Sequence, residues 1–289
     1  MTQFIQLTVY GLANGAILAL AALGFVLIYK ATRVINFAQG EFLLVGAYAF
    51  YSAFALLQLP AMLAIVVAVI IAAALGVAIE RLVLRPLLGE EPIAVIMVTI
   101  GLSAVLKAAV QVFYGTTPRV MPKFLPRGSV DILGAIVPTD RLVAIAVAAV
   151  VLAAFGAFLR WSRHGVAMRA VADDPQAALV QGISVTRISA LAWAMAAASA
   201  VIGGVLIADV AEVSQNLSSF GLVVFPVVIL GGLDSVLGTI VGGVVIGLVS
   251  QYADGVSPGA SQVAPYLVLV VILLVRPYGV FGQPRIERM

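Results

Sequence analysis

Apolar runs of about 17 to 25 residues, the length that crosses a hydrocarbon layer as a helix, recur along the whole chain. They fall near 4 to 29, 42 to 58, 60 to 80, 93 to 113, 141 to 160, 187 to 208, 236 to 253 and 262 to 276. Such runs leave no room for a water-soluble module. Hydrophobic residues make up 63% of the chain and charged residues 10%, whereas soluble domains run near half apolar and a quarter charged. The expected fold is an all-α, polytopic transmembrane bundle of about eight spans, forming one membrane domain over residues 1–289. With 27 glycines, the helices are expected to pack closely, because small residues let membrane helices approach each other.

A ninth apolar stretch, Phe220 to Leu233, is short and lies between SSFG and GGLDS. It reads as a half-helix or a broken one. The absence of cysteine excludes disulfides and thiolate ligands, and the single histidine, His164, argues against a histidine metal cluster. The chain opens MTQFIQLTVYGLANG, without a basic n-region, so the first run is expected to be a retained span. The formal charge of +3 does not imply nucleic acid, since the basic residues sit in short interhelical loops.

Those loops orient the chain. Lys30, Arg33, Arg81, Arg85, Arg160, Arg163, Arg169, Arg187, Arg276, Arg285 and Arg288 fall on one side, and Arg119, Lys123, Arg127 and Arg141 on the other. The positive-inside rule places the N-terminus outside and the C-terminus in the cytoplasm. An odd number of crossings joins those ends, so Phe220 to Leu233 is expected to cross in some form. Tyr29, Tyr51, Tyr114, Trp161, Tyr252 and Tyr278 suit interfacial belts. The external loop, 115–140, carries Pro118, Pro122, Pro126 and Pro138 and reads as an irregular cap or short hairpin. The internal loop, 161–186, reads as helix, with Asp173 or Asp174 as cap, Pro175 in the first turn and an end at Gly182.

Motifs for nucleotide binding, zinc proteolysis or serine hydrolysis are missing, and no span carries a pair of acids. Transport remains. Thr99, Ser103, Lys107 and Gln111 recur every four residues and share a helix face, either lining an aqueous pathway or bonding to neighbouring helices. Gln6, Tyr10 and Asn14 form a shorter stripe, more suited to helix–helix bonding. In the segment INFAQGEF, Asn36, Gln39 and Glu41 open a span just after Lys30 and Arg33. This is either a capped helix start or a gate near the cytoplasmic mouth. Gly231, Gly232 and Asp234 mark a break of the kind found in discontinuous transport helices, with Asp234 either a loop residue or, as the safer expectation, the cap of the next helix. Gly238, Gly242, Gly243 and Gly247 suit packing. Arg163, Arg169, Asp173 and Asp174 would offer a soluble partner ion pairs, or belong to a solvated connector.

Three segments in family order, ATRVINFAQGEFLLVGAY (31–48), MRAVADDPQAALVQGI (168–183) and FPVVILGGLDSVLGTIVGG (225–243), resemble the membrane permeases of branched-chain amino acid ABC importers. In such importers a cytoplasmic EAA-xxx-G pattern docks on the ATPase. Gln176, Ala177, Ala178 and Gly182 match its spacing with glutamine in place of glutamate, and no I-x-L-P follows. The resemblance implies ATPase coupling through Arg169, Asp173, Asp174, Pro175, Gln176, Ala177, Ala178 and Gly182, in a bacterial inner-membrane protein. It implies a second, related permease, two cytoplasmic ATPase subunits that use ATP and Mg2+, and a periplasmic binding protein. This chain itself would bind no cofactor and catalyse no reaction. Pathway or gate candidates are Asn14, Asn36, Gln39, Glu41, Thr99, Ser103 and Lys107. Alternatives are a permease for urea, short amides or another small solute, and a stand-alone secondary transporter or channel, for which buried mid-span acids would be the sign.

Overall fold

The structure is a computed structural model that describes residues 2–87, 89–126, 128–210 and 212–282. Arg127, Arg285 and Arg288 lie outside the described residues. In hydrocarbon every backbone N–H and C=O must find its partner within the segment, so apolar runs close into helices. Each expected span contains one. Six helices are long and apolar enough to cross a membrane: α1 Thr2–Thr32, α3 Ala61–Ile79 with its extension to Leu87, α4 Pro92–Tyr114, α5 Thr139–Trp161, α8 Val185–Val210 and α10 Val236–Val256. Three more are shorter: α2 Gln39–Tyr51, continued by a π-helical turn Ser52–Leu56, α9 Phe220–Gly231 and α11 Ala264–Val275. Together they make the odd set of nine among the described residues. Between α5 and α8 lie two short helices, α6 Arg163–Asp173 and α7 Pro175–Val180.

The central post is α1. Every residue from 17 to 28 is buried, as expected of a helix that is apolar all round. Its Gly11 and Gly15 face Gly243, Gly247 and Leu248 of α10, and a Cβ on Gly11 would stand 2.9 Å from the Leu248 Cα. The GxxxG pairs of α10 therefore serve packing, with Gly243 and Gly247 against α1 and Gly242 against Val227 of α9.

After α1 the chain turns back into the bundle. Arg33 adopts φ +57°, residues 33–36 run without helix, and Gln39 Nε2 donates to Ala21 O at 3.1 Å. At a rise of roughly 1.5 Å per residue, Ala21 lies about 16 Å above the end of α1. Hence α2 starts midway through the bundle rather than at its surface. From there it runs to the face where Tyr48 meets Val213 O at 3.5 Å and Ser52 Oγ meets Tyr114 Oη at 2.6 Å.

The second half-helix starts at the same depth and runs the other way. A Cβ on Gly221 would lie 2.5 Å from Gly40 Cα and 2.6 Å from Gly40 N. Phe225 of α9 then packs on Phe25 and Phe37, with ring centroids 5.3 and 4.9 Å apart, and α9 ends where Gly231 abuts Gly238. The expectation of a half-helix is met, but its break is elsewhere. Gly231, Gly232 and Asp234 turn the chain at the surface end of α9, whereas the discontinuities inside the bundle are residues 33–38 and the segment before Phe220. A surface turn and an internal break share the same glycine-rich sequence pattern.

One face carries the loop after α4. There β1 Ser129–Ile132 pairs antiparallel with β2 Ala135–Pro138 through a two-residue turn with Leu133 at φ +53° and Gly134 at φ +83°, the positive angles such turns require. The N-terminal end of α1 touches this hairpin through Gln6 Nε2, which donates to Ile136 O at 3.0 Å. Asp209, in the last turn of α8, holds the preceding loop: its Oδ1 accepts from Phe124 N at 3.1 Å. On the opposite face lie the ends of α1, α5 and α11, with Val280 N donating to Leu230 O at 2.8 Å. The first and last described residues thus lie on opposite faces.

Two outcomes test this account. Gly221→Leu should cost about 1–3 kcal/mol or more through overpacking against Gly40, read as a lowered melting temperature of the purified protein. Asp209→Ala leaves loop N–H groups without their acceptor at about 1–3 kcal/mol, so hydrogen exchange over 119–126 should quicken while that of α1 does not change.

Candidate functional site

The two polar motifs that the sequence presents separately, residues 36–41 and the stripe on α4, meet in the structure. Asn36, Gln39, Glu41 and Thr99 are all buried. Asn36 Oδ1 accepts from Ala38 N at 3.0 Å and its Nδ2 donates to Gln39 Oε1 at 3.4 Å, closing the turn that opens α2. Thr99 lies against this turn, accepting from Phe37 N at 3.4 Å and within 3.3 Å of Ile35 O. Ser103 and Lys107 follow Thr99 along the same face of α4, at one and two turns on. Gln111 then bonds the side chain of Gln215 in the 3-10 turn Gln215–Ser219 that leads into α9.

The α4 stripe is therefore a seam that satisfies broken backbone ahead of α2, as irregular segments at membrane depth require, and ties by side chains to the turn ahead of α9. It is graded along its length: Thr99 is sealed, Ser103 and Lys107 are half-buried, and Gln111 is exposed. Two helix N-termini, α2 and α9, converge here with Glu41 in the first turn of α2, where a negative charge offsets the helix dipole. The segment stands at mid-depth, so it is not at the mouth of the bundle where the sequence pattern had suggested a gate. The reason is the fold-back after Arg33, which carries it inward from the loop.

Asn14 does not join this seam. Its Oδ1 accepts from Arg141 at 3.4 Å, and the same guanidinium lies 5.2 Å from the Tyr10 ring centre, so the α1 stripe fastens α1 to the start of α5. Asp234 is not the cap of α10. Ser235 Oγ accepts from Gly238 N at 2.9 Å, three residues on, the geometry a serine cap favours. Gly232 adopts φ +103° and ends α9.

On the opposite face α6 and α7 form a bent arm. Asp174, rather than Asp173, caps α7: its Oδ1 accepts from Gln176 N at 2.9 Å and Ala177 N at 3.0 Å. Pro175 opens the helix and Gly182, at φ +78°, closes it, as left-handed glycines do. Arg169 is turned inward, its guanidinium donating to Leu159 O and Arg160 O at the end of α5. Ala178 is buried, while Gln176 and Ala177 face out with Leu179 at 57% exposure and Val180 at 85%. The outward tip of α7 is thus apolar, which the polar sequence around it does not announce.

Two buried acids escape the sequence reading, Asp209 at 1% exposure and Glu80, whose carboxylate meets Arg85 at 2.8 Å. The signal was available for Asp209, an acid in the last turn of an apolar helix, but reads equally as an interfacial residue. Among the described residues no group of three histidine, cysteine or acidic side chains is placed to hold a metal ion.

The architecture and the sequence have counterparts in known proteins. A family model described as branched-chain amino acid transport system / permease component matches residues 7–275. The permease protein LivH of the high-affinity branched-chain amino acid transport system of Salmonella typhimurium is 30% identical, over 99% of this chain and 98% of the relative. The corresponding protein BraD of Pseudomonas aeruginosa is 30% identical over the same shares. A probable branched-chain amino acid transport permease protein LivH of Methanocaldococcus jannaschii is 26% identical over 92% of this chain and 89% of its own. The fold resembles a solved structure described as PsaBC from Streptococcus pneumoniae in complex with Fab, at a TM-score of 0.50 and 12% identity, covering 94% of this chain and 90% of that one. With the family matched over nearly its whole length, the chain belongs to the permease components of branched-chain amino acid transport systems, multi-pass proteins of the inner membrane.

Proposed function

We propose that this chain, working as one unit over 1–289, forms half of the translocation pathway of an ATP-driven importer of branched-chain amino acids. The other half is a second, related permease. Two cytoplasmic ATPases, which bind ATP and Mg2+, supply the drive, and a periplasmic binding protein delivers the substrate. The observation that carries the reading is α7, a capped helix of six residues held on a bent arm with Leu179 and Val180 unburied. A short rigid helix with an apolar tip suits docking into a groove, and family membership supplies the kind of partner. Charge supports the orientation. Nine described basic residues lie on the α7 face, Lys30, Arg33, Arg81, Arg85, Arg160, Arg163, Arg169, Arg187 and Arg276, against Arg119, Lys123 and Arg141 on the hairpin face, so the α7 face is cytoplasmic and the hairpin meets the binding protein.

Coupling follows from the fixed geometry of the arm. Arg169 ties α6 to the end of α5 and Arg33 Nη2 donates to Ala172 O at 2.7 Å, so a displacement of α7 is carried into α5 and α1 rather than absorbed by a slack loop. Nucleotide states shift the passage only as far as they bind its two conformations unequally. The pathway runs along α4, where Ser103 and Lys107 are half-buried beside Glu41. A zwitterion passing here meets one charge of each sign, too few for tight binding, and selection rests with the binding protein.

Leu179→Glu with Val180→Glu should lower ATP-dependent uptake into reconstituted vesicles at least tenfold, with the protein's melting temperature unchanged, because both side chains are already exposed. Unchanged uptake would remove α7 as the docking element. Lys107→Ala is expected to alter uptake more than stability. Equal loss of folded protein and transport would make it a packing residue.

A further inference from the structure

At the end of the bundle that carries α7, the structure holds a cavity of about 650 Å³ between α1, α5, α6 and α10. Its rim and its floor differ in chemistry. Lys30, Arg33, Arg160 and Arg169 stand at the rim with Asp173 and Asp234, four cations against two carboxylates, a surplus of two positive charges. No carboxylate lies within 4.0 Å of any of the four cations among the described residues, where Arg85 and Glu80 make the one such ion pair. Arg33 and Arg169 spend part of their donors on backbone carbonyls. Lys30 and Arg160 have no hydrogen-bond acceptor for their side chains among the described residues.

Below the rim the walls are apolar, formed by Leu27, Leu152, Gly156 and Ile240. Gly156 leaves an open trough in α5: a Cβ built there meets nothing within 4 Å. The cavity lies where α1 and α5 end and α10 begins, next to Trp161, which is 75% exposed. That is the level of a membrane surface, where an aromatic side chain sits with lipid headgroups. A cationic rim above an apolar trough, open at that level, matches a phosphate ester joined to an acyl chain, and basic pockets between membrane helices hold such headgroups.

We propose that this cavity binds an anionic glycerophospholipid, with its phosphate among Lys30, Arg33, Arg160 and Arg169 and an acyl chain along the trough at Gly156. The site lies between the arm and the central post, so the lipid would brace α6 against α1 and α5. The inference stands on the cavity and its charges alone, and holds whatever solute the permease carries.

The test is retention of dioleoylphosphatidylglycerol by the purified full chain, followed by native mass spectrometry and compared with dioleoylphosphatidylcholine, which has the same chains and no net charge. Phosphatidylglycerol should bind at least tenfold more tightly. Lys30→Gln with Arg160→Gln should weaken it by roughly fivefold for each cation removed, leaving phosphatidylcholine unaffected. Gly156→Leu keeps all four cations, fits the open space and improves helix propensity, yet should abolish retention by filling the trough. Inorganic phosphate at millimolar concentration should not displace the lipid. Equal retention of the two lipids, or selective retention by both variants, would overturn the proposal. So would displacement by phosphate with binding of that ion unaffected by Gly156→Leu, which would make the site one for a small free anion.

Discussion

The contact between Gly40 and Gly221 is the constraint on which the rest of the bundle depends. Two helices begin there, midway through the molecule, and leave in opposite directions. Their backbones approach so closely that a methyl group on either would meet main-chain atoms of the other. Helix starts carry N–H groups without partners, and at this depth water cannot supply them. The neighbourhood is accordingly polar in small doses: Asn36 turns the chain, Gln39 reaches Ala21 O, Thr99 holds Phe37 N and Ile35 O, and Glu41 sits in the field of both helix ends. The seam on α4 exists because the crossing exists.

The same contact divides the centre of the bundle while holding it firm. A continuous span through this region would present an unbroken apolar cylinder. Two half-helices instead place irregular backbone and short polar side chains at the centre, graded from the sealed Thr99 to the exposed Gln111. The firm part is α1 with α10 and α8, packed through small residues. At the far end Arg33 and Arg169 bind the α6–α7 arm to the ends of α1 and α5 by hydrogen bonds to backbone carbonyls.

Span-level organisation was legible because hydrocarbon leaves a chain few choices: all eight apolar runs hold helices, the hairpin appears within 115–140, and the cap, Pro175 and Gly182 delimit α7 as their local chemistry dictates. Depth was not legible. The run at 42–58 looks like any other span, and only the fold-back at Arg33, a left-handed residue without glycine, carries its start to mid-bundle. For the same reason the sequence pattern puts the break at Gly231, Gly232 and Asp234, which turn the chain at a surface. Periodicity reports which residues share a face and says nothing of how far in the helix begins. Asp234 and Ser235 are both good caps one residue apart, and the three-residue spacing to Gly238 N decides for Ser235.

The enclosure of α1 has a consequence for the order of assembly. It is the first segment of the described chain to be synthesised, yet its neighbours α8, α9 and α10 are among the last. Until they arrive, α1 has α2, α5 and the hairpin beside it, but the glycine face at Gly11 and Gly15, which packs on α10, has only lipid to touch. Among the described helices, the surroundings of α1 are therefore completed late, and a chain cut short after α5 would leave the post held on one side with its glycine face bare.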